Sequence, residues 1–146
     1  MALVVVRVDD CKKVTQIELI PEAQLAAVIA GRNRHIRLYP WKALDGQEVE
    51  PIKVVEAKNC QMMATGRLGA LLLLCLATKR QLTCYELSAQ GKARYRRACE
   101  VTLQNNVQWL AVMAEGICAG YQTGFCIFNL QGVRELHGLK SKFIFI

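Results

Sequence analysis

Residues 71–87 read Leu71-Leu72-Leu73-Leu74-Cys75-Leu76-Ala77-Thr78-Lys79-Arg80-Gln81-Leu82-Thr83-Cys84-Tyr85-Glu86-Leu87. The first seven are all apolar, the pattern of a buried strand. Thr78-Lys79-Arg80 is a polar turn, and from Gln81 apolar and polar residues alternate as in a second, half-buried strand. The whole apolar run, Gly69 to Ala77, is nine residues long. A bilayer-spanning helix needs about 20, so the run is read as a buried element of a globular domain.

The same grammar occurs on either side. Upstream, Val14, Ile17 and Leu19 lead into the turn signal Pro21-Glu22-Ala23-Gln24, followed by the apolar run Leu25–Ala30. Gly31-Arg32-Asn33-Arg34-His35 is turn-like, Ile36-Arg37-Leu38-Tyr39 alternates, and Pro40 stops it. Asp45-Gly46 marks a further turn, and Ile52-Lys53-Val54-Val55 is β-branched and strand-like. Downstream come the apolar Gly116-Ile117-Cys118-Ala119-Gly120, the turn Tyr121-Gln122-Thr123-Gly124, and Phe125-Cys126-Ile127-Phe128. The first apolar residues after the three turns, Ile36, Leu82 and Phe125, are 46 and 43 residues apart, and an aromatic follows each three positions on, at Tyr39, Tyr85 and Phe128. A four-strand unit recurring about every 40–45 residues is the period of a propeller blade. The expected fold is therefore all-β, a partial β-propeller of about three four-stranded antiparallel blades. Leu25–Ala30, Leu71–Ala77 and Ile117–Ala119 are expected in equivalent inner positions. The competing architecture is a meandering β-sandwich, which has turns every 8–12 residues and no longer period.

A chain of 146 residues suits one domain. Its apolar fraction of 53% offsets the entropy of ordering the chain and excludes a disordered class. Seven cysteines, an odd number, and three prolines argue against a disulfide framework or a collagen-like chain. The net charge of +7 permits phosphate or acidic partners without selecting among them. The start, Met1-Ala2-Leu3-Val4-Val5-Val6-Arg7, has no basic leader segment, so no signal peptide is expected and a reducing, cytoplasmic setting fits best.

Candidate sites are few. No pair among Cys11, Cys60, Cys75, Cys84, Cys99, Cys118 and Cys126 has the two-to-four-residue spacing of a zinc knuckle. Buried structural thiols are expected instead, with no metal and no cofactor. His35 and His137 are the only histidines, which leaves a Cys/His catalytic pair without support. Arg32, Arg34, His35 and Arg37 form one basic cluster, and Lys92, Arg94, Arg96 and Arg97 a second. These are the candidate partner contacts. The alternative is a solvated rim, since the first cluster occupies a turn and the expected solvent face of a strand. Tyr95 alone offers a stacking surface in the second, so nucleic acid is not an expected partner. Trp41 and Trp109 are expected to fill the space between adjacent blades, with interface anchors as the alternative, and Gly31, Gly66, Gly120 and Gly124 to supply turn conformations.

Several longer motifs carry a family likeness. Gln16–Pro21, Val28–Pro40 and Ala43-Leu44-Asp45-Gly46 resemble the citron homology domain. So do Lys79–Leu87, Asn106-Val107-Gln108-Trp109 and Gly120–Phe125. Within that family the likeness is to the myotonic-dystrophy-kinase-related kinases that bind Rho-family GTPases, the gamma member in particular, with citron kinase more distant. The resemblance runs from about Asp10 to Leu130. It implies that residues 1–130 are the N-terminal half of a citron homology domain, with 131–146 an unrecognised tail. It also implies a non-catalytic regulatory or docking role in cytoskeletal signalling, at the cell periphery through the parent protein. Implied partners are small GTPases or cytoskeletal and membrane scaffolds. The chain has no Gly-rich phosphate loop, His-Arg-Asp or Asp-Phe-Gly, so no kinase activity is expected of it. The basic clusters leave binding to phosphoinositide membrane or nucleic acid as an alternative function. Three blades leave terminal apolar faces uncovered, so self-association is expected as well.

Overall fold

A computed structural model describes residues 5–6, 13–46, 50–54, 56–91 and 94–129. Among these, eleven strands form three antiparallel sheets, each a meander of strands adjacent in sequence. The chain divides into two compact units, Met1–Cys60 and Gln61–Ile146.

The first unit holds β1 (Val14–Ile20), β2 (Leu25–Ala30), β3 (His35–Pro40) and β4 (Ile52–Val54), in that order across one sheet. All six residues of β2 are buried, as its unbroken apolar sequence requires of a strand covered on both faces. One face carries Ile20, Leu25, Ala27, Ile29, Ile36, Leu38 and Val54; the other carries Ala26, Val28, Ala30 and Tyr39. Pro21–Ala23 forms a single 3-10 turn, closed by the left-handed Gln24, whose amide donates to the Pro21 carbonyl. A second 3-10 turn, Trp41–Asp45, ends where Gly46 takes a φ of 82°, a conformation that a side chain would strain.

The second unit holds β5 (Met62–Leu68), β6 (Leu71–Thr78), β7 (Gln81–Leu87) and β8 (Tyr95–Thr102) in one sheet. A second sheet has β10 (Ile117–Gly120) between β9 (Trp109–Val112) and β11 (Phe125–Phe128). The core between them takes Leu73, Cys75, Ala77, Leu82 and Cys84 from the first sheet and Ile117, Ala119, Cys126 and Phe128 from the second. Leu103 and Val107, on the segment joining β8 to β9, complete it. Their amides donate to the Arg80 and Lys79 carbonyls, so the β6–β7 hairpin tip anchors the crossing chain.

The expected inner strands are β2, β6 and β10, each second in its meander. The register corrects one detail. The pairs closing the three hairpins are Ala30–His35, Thr78–Gln81 and Gly120–Phe125. Phe125 therefore matches His35 and Gln81, and Cys126 is the third member of the Ile36, Leu82 series, giving spacings of 46 and 44. Because faces alternate every residue, Tyr39 and Tyr85 lie on the face opposite Ile36 and Leu82, whereas Phe128 shares the face of Cys126. The aromatic repeat is a coincidence of spacing. Described residues of the third meander make three strands, one fewer than the expected four.

Gly31 adopts a positive φ of 85°, as a turn glycine does. Gly66 does not; it sits mid-strand in β5, where a Cβ would lie 2.6 Å from the Val112 carbonyl oxygen of β9. That glycine permits the two sheets to approach. Gly66→Ala is expected to destabilise the chain by about 1–3 kcal/mol, the usual cost of overpacking, in urea unfolding. Gly124→Ala, with nothing within 4 Å of its Cβ, should leave the midpoint within about 0.5 kcal/mol. Equal effects would mean the Gly66 contact carries no weight.

Candidate interaction surface

Arg32 and Arg34 stand exposed on the four-residue β2–β3 hairpin. Arg34 takes a left-handed φ of 47°. The carbonyls of Asn33 and Arg34 accept the amides of Asn59 (2.7 Å) and Cys60 (3.3 Å), so the segment after β4 pins the tip. Among the described residues neither Arg32 nor Arg34 has an acidic partner.

Arg37 departs from the expectation of a solvent-facing contact. It is 2% exposed, and its guanidinium donates to the Ala30 carbonyl at 3.3 Å. The reason is that β3 is buried on both faces, so alternation does not send its polar residue to solvent. Register instead places Lys53 beside Arg37 across the β3–β4 pair, and Lys58 also acts on His35. The described basic rim is thus Arg32, Arg34 and His35 with Lys53 and Lys58. The two lysines become part of the cluster only through strand pairing, which local sequence does not display. Burial, then the charges of Lys53, Arg37 and Lys58, hold the His35 imidazole below its ordinary value of 6.5. Its Nδ1 is buried without a hydrogen-bond partner.

The second basic cluster is largely balanced by acids. Arg96 pairs with Glu86, facing it across β7 and β8, and Arg97 pairs with Glu100 at 3.2 Å. Gln81 also donates to Glu100, and Arg94 Nε donates to the Ser88 carbonyl at 2.8 Å. Such exposed pairs contribute about 0–1 kcal/mol each and chiefly cancel charge. Lys92 lies outside the described residues. The two clusters belong to different units.

The tryptophans divide. Trp41 is half-buried and donates its indole N–H to the Leu25 carbonyl at 3.1 Å. Trp109 is 55% exposed, which corrects its expected place as a core filler. It lies in one cross-strand row with Gly120 and Phe125, the latter 46% exposed. A Cβ on Gly120 would stand 3.3 Å from Trp109 Cβ, so the bare glycine gives the indole its place beside β10. Gly120 and Gly124 are thus not positive-φ turn glycines. Six cysteines are buried, and Cys11 lies outside the described residues. Among the described residues no group of three or more His, Cys, Asp or Glu side chains is placed to hold a metal ion.

The His35 shift has a definite consequence for stability. The unfolded chain takes up a proton near pH 6.5 and the folded chain only at lower pH, so between those values the unfolded state binds more protons. Stability is therefore present in full above pH 7 and declines as pH falls through about 6.5. Urea midpoints measured from pH 8 to 5.5 should show this decline, and His35→Gln should flatten it. An unchanged slope in the variant would remove His35 as its cause.

The CNH domain family model matches residues 2–143. Serine/threonine-protein kinase MRCK alpha of Mus musculus is 52% identical over 130 residues, 88% of this chain. MRCK gamma of Homo sapiens is 33% identical over 85% of the chain, so the likeness to the gamma protein is weaker than that to alpha. Genghis Khan of Drosophila melanogaster, also a serine/threonine-protein kinase, is 31% identical over 88% of the chain. The chain spans about 8% of the length of each of these relatives. Among solved structures, the AfRom2 CNH domain superposes with a TM-score of 0.66 at 22% identity, over 81% of this chain and 38% of that one, which shows the shared fold. With three successive β-meanders, a matching family model and a common fold, the chain belongs to the CNH domain family.

Proposed function

We propose that the chain is a non-catalytic protein–protein interaction module, a docking segment of a Rho-GTPase effector kinase acting in the cytoplasm on actin-cytoskeletal signalling. Membership of the CNH family, with relatives that are serine/threonine kinases, supports the setting. The observation that carries a docking role is the rim of Arg32, Arg34 and His35 with Lys53 and Lys58, whose two hairpin arginines have no acidic partner among the described residues. Uncompensated exposed charge does little for stability but steers an acidic partner and sets its register.

The direct test presents the purified chain to immobilised Rho-family GTPases in both nucleotide states. Binding is expected to at least one, and Arg32→Glu combined with Arg34→Glu should weaken it at least tenfold. Arg96→Glu should change it little, because Arg96 already answers Glu86. The absence of binding to every GTPase would overturn the GTPase reading. The same rim favours a second reading, binding to anionic phosphoinositide head groups. Retention on phosphoinositide vesicles, lost at modest salt and absent from the GTPases, would establish that one instead.

Self-association forms part of the proposal. Trp109, Phe125 and Met113 expose apolar surface in the second unit, and Ile17 and Leu19 do so on β1 in the first. Burial of such surface yields about 25 cal/mol per Å², and +7 of net charge is screened beyond about 8 Å at physiological salt. Sedimentation at micromolar concentration should show species heavier than a monomer, shifted toward monomer by Trp109→Ser with Phe125→Ser. A clean monomer would refute it.

A further inference from the structure

Three cysteines stand in one row across three neighbouring strands. Cys75 of β6 pairs in register with Cys84 of β7, and Cys84 with Cys99 of β8. All three lie on the core-facing side of their sheet and are buried. The Cys75 and Cys84 sulfurs are hydrogen-bonded at 2.8 Å, and Cys99 bonds Cys84 from the other side. The remaining described cysteines have no such arrangement. Cys60 is in the other unit, and Cys118 and Cys126 pair with Ile127 and Ala119 rather than with each other.

We propose that Cys75 and Cys84 form a dithiol site that a small hydroperoxide converts into a cross-strand disulfide. The backbone suits the bond. Thr78 and Gln81 close a two-residue hairpin, and the pairs of such a ladder alternate between hydrogen-bonded and non-hydrogen-bonded from that closing pair. Counting inward, Cys75–Cys84 falls on a non-hydrogen-bonded pair, where Cα atoms approach to about 4.5 Å, inside the disulfide range of about 4.4–6.8 Å. Cys84–Cys99 is disturbed by the bulge that follows Cys84 on the β7–β8 side.

The chemistry balances with hydrogen peroxide as the two-electron oxidant. One sulfur attacks a peroxide oxygen, the O–O bond breaks, and a sulfenic acid and water result. The second sulfur attacks the sulfenic sulfur, the S–S bond forms, the S–O bond breaks, and the hydroxyl leaves with the remaining thiol proton as water. Two thiols and one peroxide become one disulfide and two waters. Hydrogen bonding to Cys75 and burial hold the Cys84 thiol in its protonated form, so the reaction is slow beside that of an exposed thiolate and favours a small, uncharged oxidant.

Tryptic mapping tests this without any variant, since cleavage after Arg67, Lys79, Arg80, Lys92 and Arg97 puts Cys75 on 68–79, Cys84 on 81–92 and Cys99 on the peptide that begins at 98. The native chain is treated with hydrogen peroxide, alkylated under denaturation with iodoacetamide, and digested without reductant. The expected product is 68–79 joined to 81–92, two hydrogens lighter than the free pair and separated by dithiothreitol. Cys99→Ala should retain the link. Recovery of both peptides as alkylated free thiols, linkage of either one to another cysteine peptide, or linkage only when peroxide is added in urea would each overturn the proposal.

Discussion

Burial of the central strand on both faces is the constraint on which each meander depends. In β6 the six residues Leu72 to Ala77 are all buried. Leu73, Cys75 and Ala77 face the β9–β11 sheet, and Leu72, Leu74 and Leu76 lie on the reverse side. A strand in this position cannot slip by one residue without exchanging two well-packed sets of side chains. Its neighbours inherit that register. β7 must bring Leu82 and Cys84 to the same face as Ala77 and Cys75, and β5 must bring Gly66 opposite Leu73, under Val112. The absence of a side chain at Gly66 and the size of the leucines thus follow from one packing condition.

The inner strands were the legible part of the fold. Leu25–Ala30 and Leu71–Ala77 announce themselves because double-sided burial leaves no polar position inside them, and the turns beside them carry Gly31 and Pro21 in plain view. Three outer strands, β5, β8 and β9, were not legible. β5 contains Gly66 and Arg67, β8 contains Arg96, Arg97 and Glu100, and β9 opens on an exposed Trp109. Each has a polar or exposed face and meets the core with only a few residues, so its pattern is short. Corners at Gln24, Arg34, Asn59 and Lys79 have positive φ without a glycine. There tertiary hydrogen bonds, such as Asn59 N–H to the Asn33 carbonyl, outweigh local preference.

The third meander shows how period-two reasoning fails by one residue. Phe125 looks like the first core residue after a turn because it is apolar. In the structure it closes the hairpin opposite Gly120, and the ring lies exposed in a row with Trp109. A glycine flanked in one row by two aromatic residues is a cross-strand arrangement in which a large side chain, here Trp109, covers backbone that the glycine leaves bare. The sequence signal was a Trp, a Gly and a Phe at 109, 120 and 125, and only the strand register converts that spacing into a row.

Charge was the least informative level of the sequence, and the reason is physical. Seven excess positive charges do not say where uncompensated charge is. Arg37 was drawn into the interior by a strand with no solvent face, where its long aliphatic stem packs and its head reaches a carbonyl. Arg96 and Arg97 were answered by Glu86 and Glu100, one across the ladder and one along its own strand. What remains is set by backbone geometry. The left-handed Arg34, the Asn33 and Arg34 carbonyls tied to Asn59 and Cys60, and the register that sets Lys53 beside Arg37 together hold cations around His35. Because no carboxylate among the described residues offsets Arg32 or Arg34, their like charges at the hairpin stay uncompensated, a repulsion that an acidic partner would relieve.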